Sequence, residues 1–176
     1  CRGDIQKETI LITGASGGVG SAAIQLAKVR GAKIIVQCAP DKASTLKDLG
    51  ADQTVNRNDD LVKVLGENSV DAVVDVVGGS SWPQLLDILR PGGKYITSGA
   101  IAGPIVDLDL RSLYLKDLTL FGSTVNEPYV FENVIHCIEE GQIKPLVAQS
   151  FPLKEIHQAQ TVFIEKKFIG KLVLIP

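Results

Sequence analysis

One segment near the start of the sequence has the residue types and spacing to hold a phosphate group. It reads Ile10-Leu-Ile-Thr-Gly-Ala-Ser-Gly-Gly-Val-Gly20 and is followed by the mostly apolar run Ser21–Lys28. This order predicts a strand, a glycine turn and a helix. Such a turn offers backbone N–H groups and the positive end of a helix to a pyrophosphate. Within it, Gly17 would let the backbone approach the phosphates, and Gly20 would let the helix pack against the strand.

Other ligand-binding classes share parts of this pattern. Val19 and Gly20 stand where a P-loop has glycine and lysine, so a P-loop is excluded. Thr13–Gly20 resembles the turn of short-chain dehydrogenases, but none of the three tyrosines is followed four residues later by the lysine that their proton transfer needs. A methyltransferase that uses S-adenosylmethionine remains an alternative, because Leu89-Arg-Pro-Gly-Gly-Lys94 resembles a turn of that class. However, the second predicted strand does not end in the carboxylate that would hold its ribose.

The elements that must position this turn are short apolar runs alternating with amphipathic runs. The predicted strands are Thr9–Thr13, Lys33–Cys38, Gln53–Asn56, Asp71–Val77, Lys94–Ser98 and Leu118–Phe121. The predicted helices are Gly18–Arg30, Asp41–Leu49, Asp59–Leu65, Ser80–Leu89 and Arg111–Leu115. This alternation predicts an α/β fold, a Rossmann-type doubly wound parallel sheet of about six strands. The carboxyl ends of its strands would meet at one edge, where open α/β sheets bind ligands.

After about Val125 the pattern changes. A helix to Glu140 is followed by a strand at Leu146–Phe151, a helix at Leu153–Glu165 and a strand at Lys171–Ile175. These elements predict a β-α-β tail. Proline on both sides of the first of these strands indicates an edge strand or an isolated ribbon.

The composition excludes several classes of protein. The chain has 176 residues, 45% of them hydrophobic and 22% charged, which is typical of a globular domain. A net charge of −2 offers no basic surface to nucleic acid or membrane lipid, and the apolar runs are far shorter than a membrane span. Cys1, Cys38 and Cys137 are scattered and odd in number. Neither disulfides nor a compact zinc site is therefore expected, and a reducing, cytoplasmic location fits.

Six motifs occur in order along the chain. They are Ala15-Ser-Gly-Gly-Val-Gly20, Leu49-Gly-Ala-Asp52, Asp75-Val-Val-Gly-Gly79, Leu89-Arg-Pro-Gly-Gly-Lys94, Leu118-Thr-Leu-Phe-Gly-Ser-Thr124 and Gly170-Lys-Leu-Val-Leu174. The series resembles the cofactor domain and C-terminal tail of medium-chain dehydrogenase/reductases, the superfamily of zinc-type alcohol dehydrogenases. Alanine at the first glycine position and the Phe-Gly-Ser stretch are most similar to its quinone oxidoreductase-like branch.

The resemblance implies a division of the chain into two parts. Residues 1–141 would form a dinucleotide-binding Rossmann domain, and residues 142–176 the C-terminal segment of a catalytic lobe. In that family the larger part of this lobe precedes the glycine turn, whereas only eight residues precede the first predicted strand here. The substrate pocket is therefore expected outside this sequence, and no catalytic residue is assigned.

The resemblance also implies where a nicotinamide dinucleotide would bind. The residues expected to line the pyrophosphate are Ser16, Gly17, Gly18 and Val19. The loop after the fourth strand, expected to pass beside the adenosine or the pyrophosphate bridge, contains Val77, Gly78 and Gly79. The residues expected to flank the nicotinamide come from the ends of the fifth and sixth strands: Ser98, Gly99, Ala100, Phe121, Gly122 and Ser123.

The end of the second strand bears on the choice between NAD(H) and NADP(H). Enzymes that use NAD usually place Asp or Glu there, and this carboxylate binds the ribose hydroxyls and repels a 2′-phosphate. The sequence has Gln37-Cys-Ala-Pro40 at that place, and Asp41 is expected to cap a helix. Lys42 follows at once, and Arg57 lies just past the third strand, where the family branch often has a phosphate-contacting side chain. We therefore expect NADP(H) to be favoured.

The implied activity is hydride transfer between NADP(H) and a quinone, enone, aldehyde or alcohol. The alternative is a cofactor-binding or sensing module without catalysis. His136, Cys137 and His157 are not expected to bind a metal, because adjacent residues do not share a helix face, and zinc is not indicated within this chain. A small-molecule substrate is expected, with neither nucleic acid nor membrane as partner, and a homodimer could form through the edge of the sixth strand.

Overall fold

The computed structural model describes residues 7–176, so Cys1 and the first six residues of the predicted 1–141 domain lie outside the described residues. The strands are β1 (Thr9–Ile12), β2 (Lys33–Cys38), β3 (Gln53–Asn56), β4 (Val70–Asp75), β5 (Leu89–Thr97), β6 (Thr119–Gly122), β7 (Val147–Pro152) and β8 (Lys171–Ile175). The helices are α1 (Gly18–Val29), α2 (Ala43–Asp48), α3 (Leu61–Leu65), α4 (Trp82–Asp87), α5 (Leu110–Tyr114), α6 (Pro128–Glu139) and α7 (Ile156–Glu165). Within residues 7–176, no helix is both long and apolar enough to cross a membrane.

Strands β1–β6 form one sheet in the order β3-β2-β1-β4-β5-β6, and every neighbouring pair is parallel. In the central strand, Ile10 lies opposite Ile34 of β2 on one side and Ala72 of β4 on the other. The strand order reverses between β1 and β4, because β2 and β3 extend to one side and β5 and β6 to the other. The predicted doubly wound parallel sheet is confirmed.

The packing of β1 explains why the strands are apolar at every position. Ile10 and Ile12 belong to one buried cluster together with Ile24 of α1, whereas Leu11 belongs to a second cluster with Leu85 of α4. Successive side chains of a strand point to opposite faces, so a sheet covered by helices on both sides needs apolar residues throughout. Ile10, Leu11 and Ile12 are accordingly at most 1% exposed.

The predicted start of the fifth strand is wrong. β5 begins at Leu89 rather than Lys94, because Leu89 already pairs with Val70 of β4. The register then shifts before Lys94 pairs with Ala72. Gly92 has φ +74°, so the chain kinks within the strand instead of turning ahead of it.

The prediction that Asp41 caps a helix is also wrong. A 3₁₀ turn at Pro40–Lys42 precedes α2, and the residues before these two elements are Ala39 and Lys42. Neither makes a side-chain hydrogen bond to the first turn that follows it. Asp41 therefore stays available as an exposed charge near the end of β2.

The tail folds as predicted into a β-α-β unit, in which β7 and β8 form a separate two-stranded parallel sheet joined through α7. It returns to the glycine turn, where the Gly170 N–H donates to the Ser16 carbonyl oxygen at 3.1 Å. The Gln25 side chain of α1 accepts a hydrogen bond from the Lys144 N–H at 2.7 Å and donates one to the Lys144 carbonyl oxygen at 3.0 Å. The tail is thus attached to the part of the sheet that carries the turn.

Candidate functional site

The glycine turn lies at the point where the strand order reverses. Gly14 has φ +57°, a left-handed conformation that favours glycine, and the Gly17 N–H donates to its carbonyl oxygen at 3.0 Å. Helix α1 then begins at Gly18 with Gly17 as its N-cap residue, which has no side chain to cap it. The first turn of α1 also contains no acidic residue. The backbone N–H groups and the positive end of this helix are therefore not offset by a carboxylate of its own first turn.

Packing within the described chain requires glycine at position 20 but not at position 17. A Cβ atom on Gly20 would overlap the Gly14 carbonyl oxygen and lie 2.5 Å from Ala15 Cα, so α1 packs against the turn only without a side chain there. Gly20 thus has a packing role, but its contacts are with the turn residues Gly14 and Ala15 and not, as the sequence predicted, with the strand. A Cβ atom on Gly17 would meet only the Gly14 carbonyl oxygen, at 3.4 Å, and the backbone of Gly17 is extended. Nothing within the described chain therefore requires glycine at position 17.

The side chain of Lys171, the first residue of β8, lies over the glycine turn. A Cβ atom on Gly18 would overlap the Lys171 side chain and lie 2.5 Å from its Nζ. The tail thus brings a positive charge to the start of α1, next to Ser16 and Gly18. Lys171 is not among the site residues predicted from the sequence. The motif that contains it, Gly170–Leu174, was the available signal, but its position relative to the turn depends on the packing of the tail.

The loop after β4 lies beside this turn and is held by Asp75, which is completely buried. The Asp75 carboxyl group accepts hydrogen bonds from the Val77 N–H at 2.8 Å and the Gly78 N–H at 3.1 Å. Gly78 has φ +64°, and a Cβ atom there would lie 2.8 Å from the Gly103 carbonyl oxygen. Val77, Gly78 and Gly79 therefore lie at the carboxyl edge as predicted, in a conformation that Gly78 makes possible.

The ends of β5 and β6 meet in one open cleft of about 530 Å³. The predicted site residues that line it are Ser98, Gly99, Ala100, Gly122 and Ser123. The Ser123 N–H donates to the Thr97 carbonyl oxygen at 2.9 Å, which holds the two strand ends together. Phe121 is half-buried within β6, where it pairs with Ile96, and does not line the cleft.

Lys42 and Arg57 lie at the other side of the edge, near the end of β2. The Arg57 N–H donates to the Cys38 carbonyl oxygen at 3.0 Å, and within residues 7–176 the exposed Arg57 side chain forms no ion pair. The Lys42 ammonium instead donates to two backbone carbonyl oxygens of the tail, those of Lys166 at 2.7 Å and Phe168 at 3.2 Å. The two cations thus differ in how much of their hydrogen-bonding capacity is already used.

The cysteine and histidine side chains form no metal centre among residues 7–176, where no group of three or more His, Cys, Asp and Glu residues is placed to hold an ion. His136 and Cys137 lie on α6 and His157 on α7. Burial raises the pKa of the Cys38 thiol, the charge of Asp41 raises it further, and Lys42 opposes this shift. Cys38 is therefore held as a thiol rather than as a nucleophilic thiolate.

A six-stranded parallel sheet in this order, with a glycine turn at the switch point, defines a Rossmann-type domain of the doubly wound class. A family model described as zinc-binding dehydrogenase matches residues 18–140, which is more than half of the chain. The chain belongs to the zinc-binding dehydrogenase family. The resemblance to medium-chain dehydrogenase/reductases is confirmed, and neither a methyltransferase nor a module without catalysis is favoured by this membership.

Relatives and solved structures agree with this assignment. The chain is 34% identical over 179 residues to an acryloyl-coenzyme A reductase of Sulfurisphaera tokodaii, an alignment that covers 99% of this chain and 53% of that protein. It is 48% identical, with a TM-score of 0.91, to the structure of a candidate alcohol dehydrogenase from Sinorhizobium meliloti 1021, covering 97% of this chain and 49% of that one. It is 31% identical, with a TM-score of 0.86, to Escherichia coli quinone oxidoreductase complexed with NADPH, covering 98% and 59%. The chain spans about half the length of the curated relatives it matches.

Proposed function

We propose that this chain binds a nicotinamide dinucleotide and forms the coenzyme-binding part of an oxidoreductase. The observation that carries the proposal is the glycine turn at the switch point, where a Cβ atom on Gly17 would meet only the Gly14 carbonyl oxygen, at an ordinary contact distance. No contact within the described chain requires glycine at position 17. A ligand that occupies the space of the missing side chain would explain why the residue is glycine. The start of α1, which lacks an acidic first turn, suits the negative charge of a pyrophosphate. The residues present therefore fit the group.

The pyrophosphate would lie against Ser16, Gly17, Gly18 and Val19. Backbone N–H groups at the start of α1 would donate to its oxygens, and Lys171 would add a charge-assisted contact from the tail. Such a contact is worth about 1.5–3 kcal/mol where the charged group is partly shielded from water. Lys171 lies at the first position of an exposed strand, so screening reduces its share.

The nicotinamide end would lie in the cleft at the ends of β5 and β6. Ser98, Gly99, Ala100, Gly122 and Ser123 would border the ring, with Phe121 behind them in β6. The loop of Val77 and Gly78 would border the middle of the coenzyme. When bound, the coenzyme would supply or accept the hydride. The contribution of these residues would be to hold the ring in one orientation and to keep water from one side of it.

We propose that NADP(H) is favoured over NAD(H). The segment Gln37–Pro40 at the end of β2 contains no carboxylate to repel a 2′-phosphate, and Arg57, which forms no ion pair within residues 7–176, lies beside it. The exposed Asp41 carboxylate follows this segment, and the adjacent positive charge of Lys42 opposes its effect. Lys42 has one of its three N–H donors left after its contacts with the tail. We therefore expect Arg57 to contribute more than Lys42. The NADPH complex of the Escherichia coli relative supports the same choice.

The substrate would be a small molecule with a polarised double bond or an alcohol group, because the relatives are named for quinones, alcohols and an acryloyl thioester. Residues 1–141 would bind the coenzyme, and residues 142–176 would belong to a catalytic lobe completed by the half of the relatives that this chain does not span. A second copy would pair along β6, the last strand in the sheet order, because an unpaired strand edge readily adds another strand.

The test of coenzyme binding is a Gly17→Val variant. The backbone of Gly17, with φ −75° and ψ 172°, accommodates valine without strain, so the variant should fold. Its branched side chain would occupy the space proposed for the pyrophosphate, and we expect a loss of NADPH affinity of at least about tenfold. Fluorescence titration measures the affinity, and thermal unfolding monitors the fold.

The matched control is Asn133→Val, which introduces the same side chain at an exposed position of α6. This variant should bind NADPH as the wild type does. Equal affinities for all three proteins would exclude the glycine turn as the coenzyme site. A wild type that does not bind NADPH or NADH would overturn the proposed function.

A further inference from the structure

We propose that Asp75 is a positioning residue of the coenzyme site, which fixes the loop of residues 76–79 with its backbone N–H groups turned inward. The proposal rests on the proposed coenzyme function. This Gly-Gly loop, which is expected to pass beside the adenosine or the pyrophosphate bridge, would then meet the coenzyme without N–H donors at positions 77–79. The phosphates would then be confined to the turn at Ser16–Val19.

Several hydrogen-bond donors meet at the buried carboxyl group of Asp75. Oδ1 of Asp75 accepts from the Thr13 hydroxyl at 2.5 Å and from the Val77 N–H at 2.8 Å. Oδ2 accepts from the Tyr95 hydroxyl at 2.5 Å, and the Gly78 N–H lies within 3.2 Å of both oxygens. A group that is 0% exposed with this set of donors can turn only if several hydrogen bonds break together.

Thr13 connects this carboxyl group to the glycine turn. Its hydroxyl oxygen accepts from the Val76 N–H at 3.2 Å, so its own hydrogen is left to donate to Asp75. Thr13 directly precedes Gly14, and a Cβ atom on Gly14 would lie 2.5 Å from a methyl group of Val76. The two loops are therefore in contact, and Asp75 and Thr13 hold the distance between them.

Tyr95 anchors the same carboxyl group from the neighbouring strand. Its side chain is buried and its ring packs edge-on against Trp82, with centroids 4.6 Å apart. Burial raises the pKa of Tyr95, and its hydrogen bond with Asp75 and the charge of Asp75 raise the pKa further. The hydroxyl therefore stays a donor, and it binds Oδ2 of Asp75, the oxygen that the Gly78 N–H also approaches.

Two further polar groups of the loop also have partners within the protein. The Val77 carbonyl oxygen accepts from the Ala102 N–H at 2.8 Å, and the Gly79 N–H donates to the Gly103 carbonyl oxygen at 3.1 Å. The N–H groups of Val77, Gly78 and Gly79 are thus all committed to acceptors in this chain. A phosphate could use them only after the loop had opened.

The test compares Asp75→Asn with Tyr95→Phe. The asparagine keeps the shape of the side chain, but its amide nitrogen cannot accept a hydrogen bond, so the Gly78 N–H loses one of its two acceptors. We expect NADPH to bind about tenfold more weakly and the amide hydrogens of Val77 and Gly78 to exchange at least about tenfold faster. Tyr95→Phe removes one hydrogen bond from the same buried carboxyl group but leaves both of its oxygens to the loop N–H groups, so both quantities should change in the same direction as in Asp75→Asn but by a smaller factor.

A merely structural role would give a different pattern. If both variants lost stability but neither changed affinity or exchange at Val77 and Gly78, the proposal would be wrong. It would also be wrong if Tyr95→Phe weakened NADPH binding as much as Asp75→Asn. Failure of the wild type to bind NADPH would overturn the proposed function and the coenzyme part of this proposal, whereas amide exchange would still decide whether Asp75 holds the loop.

A second pair of variants covers the case in which Asp75→Asn does not fold. Thr13→Val is nearly isosteric and removes the hydroxyl that joins Val76 to Asp75. Thr13→Ser retains this hydroxyl. We expect weaker NADPH binding and faster exchange of the Val76 amide in the valine variant, and recovery of both in the serine variant. Equal behaviour of the two variants would contradict a positioning role for this network.

Discussion

The chain contains two parallel sheets whose faces are covered very differently. In the six-stranded sheet, helices lie on both faces, and the residues of β1, β2 and β4 are largely buried. In the two-stranded sheet of the tail, five of the six residues of β7 are exposed, and all five residues of β8 are exposed or half-buried. Parallel strands occur almost only where both faces are covered, and two strands alone are marginally stable. The six-stranded sheet is therefore stabilised by the core that it forms with its helices, whereas the two-stranded sheet of the tail needs contacts with other parts of the protein.

Ile169 of the tail packs against the buried cluster that contains Ile10 and Ile24. Other contacts between the two regions are hydrogen bonds. They are the hydrogen bond of Gly170 to Ser16, the two hydrogen bonds between Gln25 and Lys144, and the two that Lys42 donates to the turn after α7. Of these residues, Ser16 and Lys42 would also meet the pyrophosphate or the adenosine end of a coenzyme. The position of the tail and the occupancy of the site should therefore depend on each other.

The largest expected effect concerns catalysis. If the tail is only part of a catalytic lobe, the 176-residue chain should bind NADPH but oxidise it with quinones or enals at least about a thousandfold more slowly than a version extended to the full length of its relatives. Hydride transfer needs the acceptor held close to the nicotinamide, and orientation alone supplies rate factors of this size or larger. A spectrophotometric assay of NADPH oxidation decides this. Comparable specific activities would mean that the substrate pocket lies within this sequence.

The next prediction concerns local opening of the two sheets. Amide hydrogens of β7 and β8 should exchange on the order of a hundredfold faster than those of β1 and β4, because the tail buries few apolar side chains. Hydrogen exchange followed by mass spectrometry measures both regions in one sample. Addition of NADPH should slow exchange near Gly170 and Lys171 more than in α6. Equal protection of β8 and β1 would remove the proposed difference between the regions.

A third prediction tests the packing of α1 against the glycine turn in the region of the six-stranded sheet. Gly20→Ala should lower the free energy of unfolding by about 3 kcal/mol, because the added Cβ would overlap backbone atoms that cannot move independently. Gly122→Ala is the control, since no atom of the described chain lies within 4 Å of a Cβ built there, and it should change stability by less than about 0.5 kcal/mol. Urea unfolding gives both values. A stable Gly20→Ala variant would show that α1 can shift away from β1.

The fourth prediction separates the two cations near the end of β2. Arg57→Ala should weaken NADPH binding by about tenfold at low salt while leaving NADH binding unchanged, because only NADPH carries the 2′-phosphate. Lys42→Ala should have a smaller effect on this preference but should speed amide exchange between residues 166 and 170. Titrations of both coenzymes at two salt concentrations test this. Tighter binding of NADH than NADPH by the wild type would refute the proposed preference.

The smallest expected effect concerns a surface charge of the six-stranded sheet. Asp52 accepts a hydrogen bond from the Ile34 N–H at 2.7 Å, which is the main reason why its pKa is lowered, and Lys28 contributes at 3.3 Å. Since the folded-state pKa is the lower one, this stabilisation is present above the ordinary aspartate pKa and is lost as the pH falls through the folded value. Asp52→Asn should reduce the loss of unfolding free energy on acidification by less than about 1 kcal/mol, because the pair is exposed. A larger change would mean that the first region depends on surface charges as well as on its core.

Features that depend on neighbours along the chain could be predicted from the sequence. β2, β3 and β8 have the predicted bounds, and the glycine turn lies between β1 and α1, because apolar periodicity and glycine punctuation are local signals. The parallel order of the sheet also followed, since helical crossovers between short buried strands leave few other topologies. The packing role of Gly20 could be inferred for the same reason, because its neighbours Gly14 and Ala15 are only a few residues away.

The contacts between side chains that are distant in sequence could not be predicted in this way. Lys171 lies over Gly18, and Lys42 binds carbonyl oxygens more than a hundred residues away instead of remaining free at the end of β2. Asp75 joins Thr13 and Tyr95, which are 62 and 20 residues distant in sequence. Which donor reaches which acceptor depends on strand register and helix packing to within about an ångström. The spacing of residues along the sequence does not determine positions to this precision. The site is therefore located by its glycine turn, but its charges and buried hydrogen bonds are set by the fold.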